Sequence, residues 1–416
     1  MLYTLSITNL STMIAQILNH RYHMNKINLG LYMNQSTREK ALQYHRTAPS
    51  GKLSTQITKP VESSEDLSLA YTPGVGACVE AICADPDQAY ELTNISHTCA
   101  IVSNATAVLG YGQTSPRAAK PVMEGKAALI KHMTDLDAID LVVDELNPDK
   151  FVDLICQIAP SFGAIMLEDI KAPDCFHIEE KLAERCPVPF FHDDQHGTAI
   201  VVAAALINAM KVQNQSITDS HVCLIGAGAA GYAIYQLLIA LGFTSSQIIV
   251  IDREGPLATE KTPLSIYKQR LVNTTFKGDM QDALSQSQIV IGVAKGDLLT
   301  EKDILSLPAQ SILFALSNPT PEISPDIVAK LRPDILMATG RSDFPNQVNN
   351  VLVFPYLIKA MVDSKNLTLD SELKVKIATY LASLIDAEKD KILPGSFDSR
   401  LHKIVDLCLA TADSVA

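Results

Sequence analysis

The chain has 416 residues, 47% of them hydrophobic and 19% charged, with a formal net charge of −12. The length predicts two domains rather than one core, and the composition is that of a globular protein. The acidic balance excludes a nucleic-acid binder, which needs a concentrated basic face to displace counterions from phosphate, and no apolar run approaches the ~20 residues of a membrane span.

Residues 1–32 carry no acidic side chain; the first is Glu39. Their apolar positions are interrupted too often for a secretory core, and only Arg21 and Arg38 precede Glu39, which is poor for a transit segment. They are read as an extension of unassigned status. Two loops then present reactive groups. LAYTPGVG (Leu69–Gly76) carries Tyr71, and LGYGQTSPRAAKPVMEGKAAL (Leu109–Leu129) carries Lys120 and Lys126. A Tyr before Thr-Pro-Gly also reads as a packed turn residue, and a single Lys as a solvated helix charge. Lys126 stands out because it enters the apolar run AALIKHM, where desolvation and a nearby metal would lower its pKa.

From about residue 98 short β-rich runs alternate with helical patterns. The runs are Ala100–Val102, Ile139–Val143, Ala164–Leu167, Val188–Phe191, Val222–Ile225, Ile248–Ile251, Ile289–Val293, Ile312–Leu316 and Ile335–Met337. This rhythm predicts an α/β fold of parallel sheets covered by helices. Thr198–Met210 reads as a buried helix joining two halves: residues 33–196, a catalytic and metal-binding domain, and residues 197–416, a Rossmann-like dinucleotide domain with C-terminal helices. The tail from Leu369 reads as amphipathic helix. Eight scattered cysteines without a C-x-x-C pair suit a reduced, cytoplasmic protein.

Ligands of open α/β sheets bind beyond the C-terminal ends of the strands. Glu168 and Asp169 follow one run, and His192, Asp193 and Asp194 follow the next, in FHDDQHGTA. Glu168, Asp169 and Asp194 in one crevice would repel each other without a cation, and an all-oxygen set suits Mg²⁺ or Mn²⁺. The competing reading makes Asp193 or Asp194 the cap of a helix beginning near Thr198. His192 and His196 flank the cluster and read as hydrogen-bonding residues.

Gly226-Ala227-Gly228-Ala229-Ala230-Gly231 fits G-x-G-x-x-G between a strand and a helix. Gly226 permits the turn, Gly228 admits a pyrophosphate, and Gly231 lets helix and strand approach. Gly242 ends the predicted helix Ala229–Leu241. Asp252 closes the next strand and is placed for the ribose hydroxyls, which favours NAD, while Arg253 offsets that preference toward NADP.

Taken together, AYTPGV, AVLGYG, KPVMEGKA, LEDI, FHDDQHGTAIV, GAGAAG, FALSNPTPEI and ATGRSDFPNQVNNVLVFP make the chain resemble the malic enzymes of the short bacterial type, from about Met33 to the C-terminus. The resemblance implies a metal-dependent oxidative decarboxylase of malate using NAD or NADP, working as a homodimer or higher homo-oligomer, with malolactic conversion of malate to lactate as the alternative. It implies Lys126 as general base with Asp193 beside it, Tyr71 as general acid, and Glu168, Asp169 and Asp194 as metal ligands. It also implies that Asn318 contacts cofactor and substrate, and that Asn349 and Asn350, with Lys126, hold the substrate. The glycine-rich loop departs from the family pattern as GYGQTSP and lacks an upstream Arg for a substrate carboxylate, leaving Arg117 as a substitute.

Overall fold

Two parallel sheets organise the chain in this computed structural model, which describes residues 35–257 and 264–412. The extension 1–32 and Ala258–Pro263 of the DREGPLATEKTP stretch lie outside the described residues. Helix α1 (Gln35–Arg46) belongs to a separate N-terminal unit, residues 1–51. Helices α2 (Ser64–Ala70) and α3 (Val75–Ala84) follow, and neither buries a residue.

Ser64–Ala84 is long and apolar enough, by length and composition, to cross a membrane, against the expectation from the sequence. The stretch is interrupted at Tyr71–Gly74, however. The longer of its two helices has 10 residues and rises only about 15 Å, half of a hydrocarbon core.

The first sheet contains β1 (Thr98–Ser103), β2 (Asp137–Val142), β3 (Ala164–Leu167) and β4 (Phe190–His192), in the order β2-β1-β3-β4, all parallel. It is covered by α4 (Pro116–Thr134), α5 (Pro148–Ile158) and α6 (Asp174–Arg185). Strands β1 and β3 are wholly buried, as expected where helices lie on both faces. The chain passes from β1 to β2 on one side and then crosses to β3 on the other side of β1, so the switch point lies between β1 and β3.

Helix α7 (Asp193–Val212) then runs for 20 residues, and most of them are buried around its whole circumference. It starts at Asp193, five residues before the position read from the sequence.

The second sheet has the order β10-β9-β8-β5-β6-β7. Its strands are β5 (Val222–Ile225), β6 (Ile248–Asp252), β7 (Gly255–Pro256), β8 (Ile289–Gly292), β9 (Ile312–Ala315) and β10 (Leu336–Thr339), and only β7 is antiparallel. Helix α8 (Ala229–Leu241) follows β5 and ends at Gly242 in the left-handed region, φ 112°, as predicted. Helices α9 (Phe354–Ser364) and α10 (Ser371–Ser383) return the chain to α7. The buried Asn208 of α7 donates to the carbonyls of Ala382 and Ile392 and so ties this C-terminal region to it.

Candidate active site

Strand β3 delivers Glu168 and Asp169 at its C-terminal end, and β4 delivers His192 with Asp193 and Asp194 just beyond it. Leu167 pairs with His192 across the two strands, so the two acidic pairs meet. Asp169 adopts left-handed backbone, φ 56°, a conformation that Asp tolerates better than most residues. That turn lets its carbonyl accept from Thr106 N–H and Ala107 N–H at 3.1 and 2.9 Å, while its own N–H donates to Asp194 Oδ2 at 2.7 Å. Asp193 and Asp194 occupy the first turn of α7, where the helix dipole favours negative charge. Neither caps the helix: the capping position is His192, which makes no side-chain cap bond.

Helix α4 brings Lys126 to the carboxylates. Its Nζ lies 3.0 Å from Glu168 Oε1, donates to Asp193 Oδ2, and sits 3.4 Å from Asn350 Oδ1 and 4.2 Å above the Phe354 ring. Burial works to lower the Lys126 pKa, but Asp193, Glu168 and Asp194 outweigh it and raise it. Desolvation acts in the expected direction, but three carboxylates around one ammonium outweigh it. Glu168 is pushed upward by burial, against the pull of Lys126. Asp194 is held low: burial raises it, and the His192 hydrogen bond and charge prevail.

Glu168, Asp169 and Asp194 each offer a carboxylate oxygen within 4.8 Å of the others. Glu168 Oε2 is buried without a hydrogen-bond partner. A buried orphan oxygen is unfavourable unless something positive meets it, so this all-oxygen set fits a hard divalent cation.

In the second sheet the chain leaves β5 toward β6 on one side and β8 on the other, and the glycine loop lies at that switch point. Gly226 has φ 124°. A Cβ on Gly231 would lie 1.8 Å from the Gly226 carbonyl, whereas Gly228 faces open space. Ala227, Ala229 and Ala230 complete the loop and the first turn of α8. Asp252 is engaged by Lys268 Nζ and by Arg253 N–H. Burial raises its pKa but the Lys268 hydrogen bond prevails and lowers it. Its charge is thus already offset, which reduces its repulsion of a 2′-phosphate. Asn318 follows β9, is exposed, and is closely approached by two glycines: a Cβ on Gly110 would lie 2.4 Å from its carbonyl, and one on Gly340 would lie 2.6 Å from its Nδ2. The GYG loop of the first sheet therefore touches the Asn318 loop of the second.

Beside Asn318, the fully buried Glu322 accepts from Ala294 N–H at 3.0 Å and Ser317 N–H at 3.1 Å, clamping the loops after β8 and β9 together. Burial raises its pKa from 4.5 to about 7. Below pH 4.5 folded and unfolded chains both hold the proton. Between 4.5 and 7 the unfolded chain releases it first, and above 7 the fold bears the full burden, about 3 kcal/mol. Glu322→Gln lacks this titration. Its denaturation midpoint relative to wild type should therefore improve between pH 5.5 and pH 8, and a difference that ignores pH would exclude the titration.

The structure brings together Lys126, Glu168, Asp169, Asp193, Asp194 and Asn350. It does not bring in Tyr71, which is 68% exposed and has no hydrogen bond to the cluster among the described residues. Lys120 pairs with Asp140 at 2.6 Å, and Arg117 is exposed near the start of α4. Asn349 Oδ1 accepts from Val351 N–H at 2.9 Å, which occupies that oxygen in a cap. Sequence reasoning gave no role to Phe354, Glu322 or Gln195. All three lie in quoted motifs, but no spacing rule singles them out.

Residues 195–416 match the family described as "Malic enzyme, NAD binding domain", and residues 50–148 match "Malic enzyme, N-terminal domain". The chain belongs to the malic enzyme family. It is 40% identical over 397 residues to the NADP-dependent malic enzyme of Halomonas elongata, covering 91% of this chain and 94% of that one. Against the NADP-dependent malic enzyme of Escherichia coli it is 39% identical over 367 residues, spanning 88% of this chain but 48% of that protein. Several other relatives are likewise matched over about half of their length. The NAD-dependent malic enzyme structure of Thermotoga maritima superposes with a TM-score of 0.83 at 38% identity, covering 89% of this chain and 98% of that one. As a malic enzyme with the NAD-binding domain, the chain has NAD or NADP as its cofactor class.

Proposed function

We propose that this malic enzyme oxidises (S)-malate and decarboxylates the product, giving pyruvate and carbon dioxide while NAD or NADP is reduced. The observation that carries this reading is Lys126, buried among Asp193, Glu168 and Asn350 and beside an oxygen triad fit for a cation. In this reading residues 33–196 supply the catalytic and metal groups and residues 197–416 the dinucleotide site with its C-terminal helices. Glu168, Asp169 and Asp194 would hold Mg²⁺ or Mn²⁺. When bound, that cation offsets the carboxylate charge around Lys126 and polarises the C2 oxygen of the substrate.

Lys126, once neutral, takes the C2 hydroxyl proton, and NAD or NADP, when bound, would accept the hydride of C2. Asp193 holds the Nζ in line and stabilises the ammonium that forms. Asn350, with Asn349, orients the substrate, and Asn318 sets the nicotinamide against it. Lys126 returns its proton to the C2 oxygen as carbon dioxide leaves the β-keto acid, giving the enol, and takes it back as Tyr71 protonates C3 and the C2 ketone of pyruvate forms.

Tyr71 lies away from Lys126 of its own chain, among the exposed apolar side chains Leu67, Leu69, Val75 and Val79. We assign this face to a second copy, whose site Tyr71 would enter in a homodimer. All eight cysteines are free, which suits the reducing, cytoplasmic setting we favour. Full activity in a species that sediments as a monomer at assay concentration would rule out the two-copy site.

Malate with either cofactor and Mn²⁺ should yield pyruvate and reduced cofactor in equal amounts; lactate without free reduced cofactor would overturn the reading. Tyr71→Phe should slow oxaloacetate decarboxylation by about 10²-fold or more and oxaloacetate reduction far less. Equal loss of both partial reactions would remove Tyr71 from the acid role.

A further inference from the structure

Glu179 lies on α6 and touches none of the groups assigned above to base, acid or metal. Yet both of its oxygens are spent on the FHDDQHGTA run. Oε1 pairs with His196 Nε2 at 2.5 Å, and Oε2 accepts from Gln195 Nε2 at 3.0 Å. That same amide nitrogen lies 2.9 Å from His192 Nδ1, and His192 Nε2 lies 3.0 Å from Asp194 Oδ2. An unbroken line of hydrogen bonds thus runs from Glu179 through Gln195 and His192 to Asp194. Gln195 is 2% exposed and His192 fully buried, so water does not substitute for any link.

The direction of each bond in the line follows from its first member. Burial works to raise the Glu179 pKa, but His196 overrides it and holds the carboxyl down at about 2. A carboxylate only accepts. Gln195 must therefore turn its NH₂ toward Glu179, because the flipped amide would set two acceptors face to face. The second hydrogen of that NH₂ points at His192 Nδ1, which must accept it. His192 consequently carries its hydrogen on Nε2, where it meets Asp194. Burial works to lower the His192 pKa, but contacts with Asp194 and Cys175 outweigh it and raise the pKa well above its usual value, and in either protonation state the Nε2 hydrogen is the one that meets Asp194.

We propose that Glu179 is a positioning residue for the divalent cation: by fixing the Gln195 amide it fixes the His192 imidazole, which holds Asp194 Oδ2 and leaves Oδ1 to turn toward the triad. This rests on the reading of Glu168, Asp169 and Asp194 as metal ligands. Partners that orient a ligand from behind are worth about 10- to 100-fold in metal affinity when lost. The bland alternative is that Glu179 merely staples α6 to α7 through His196, which would affect stability and leave metal affinity alone.

The test is Mn²⁺ binding to the full-length protein without substrate, read from the electron-paramagnetic-resonance signal of free Mn²⁺, with reduced-dinucleotide binding followed by fluorescence on the same samples. Glu179→Gln keeps the shape but no longer dictates the amide orientation. Its Kd for Mn²⁺ should rise about tenfold while dinucleotide affinity stays within about twofold. Gln195→Leu cuts the line at its middle and should give a comparable rise. Because both substitutions break one path, the double variant should be no worse than Gln195→Leu alone. Unchanged Mn²⁺ affinity in Glu179→Gln, a parallel loss of dinucleotide binding, or additive effects in the double variant would each overturn the proposal while leaving the metal site standing. Failure of the unsubstituted protein to bind Mn²⁺ would sink the metal assignment and this inference with it.

Discussion

Lys126→Ala should lower kcat for malate oxidation by about 10³-fold, the middle of the range for loss of a positioned general base. The reason is geometric as well as chemical. Nζ is the one cationic atom that reaches both Glu168 and Asp193 among the described residues, and no other side chain there can take up a proton from a substrate hydroxyl while keeping those two carboxylates apart. Removing it also leaves two buried carboxylates facing each other, which destabilises the site by about 3–5 kcal/mol where no cation compensates. Two variants separate the effects. Lys126→Arg restores the charge and the ion pairs, but a guanidinium does not give up its proton near neutral pH. If Lys126 is the base, both variants should lose turnover and only the alanine variant should lose thermal stability. Substantial malate turnover in Lys126→Arg would show that charge alone is required and would end the base assignment.

The second large effect is expected at Gly197. A Cβ built there lies 1.8 Å from Asp193 Oδ1, far inside any tolerable contact, and Asp193 has no exposed side to retreat to. Gly197→Ala must push the carboxylate off Lys126 or displace the first turn of α7. A misplacement of about 1 Å at a catalytic group is worth roughly 10²-fold in rate. Alanine is the better helix former by about 1 kcal/mol, so the folded protein should survive. The expected result is a fall in kcat of about 10²-fold with a lowered melting temperature, since the helix gain does not offset a loosened buried pair. Wild-type turnover in Gly197→Ala would show that Asp193 moves without consequence, and its pairing with Lys126 would lose its catalytic meaning.

Gly197 also shows where sequence patterns mislead. The apolar run that reads as a buried helix begins only at Thr198, after the polar stretch His192–Gly197. The helix in fact passes through Gly197, because the carboxylate one turn earlier needs the space. The strands were easier. Ala164–Leu167 and Val222–Ile225 are unbroken apolar runs, buried on both faces, and the predicted limits coincide with the observed ones. The glycine loop and helix Ala229–Leu241 were legible for a similar reason: each glycine answers a local backbone demand. Glu179 left no trace, since one acid on an amphipathic helix looks like any solvated charge, and its partners lie 16 and 17 residues away. Tyr71 was legible as a motif, but a motif carries no information about which chain's site a side chain enters. The charge balance around Lys126 was not legible, because it depends on distances. Burial and three carboxylates act in opposite directions, and only their spacing decides between them.

The start of α7 at Asp193 has one more consequence. Consecutive residues on an α-helix point about 100° apart. Asp193 therefore looks toward Lys126 while Asp194 looks toward His192 and the Asp169 N–H. The doublet is not a duplicated acid with a spare. Each member is committed to its own azimuth, and one residue added or deleted ahead of them would turn both by about 100°, so that one carboxylate would take the other's view and the second would leave the site.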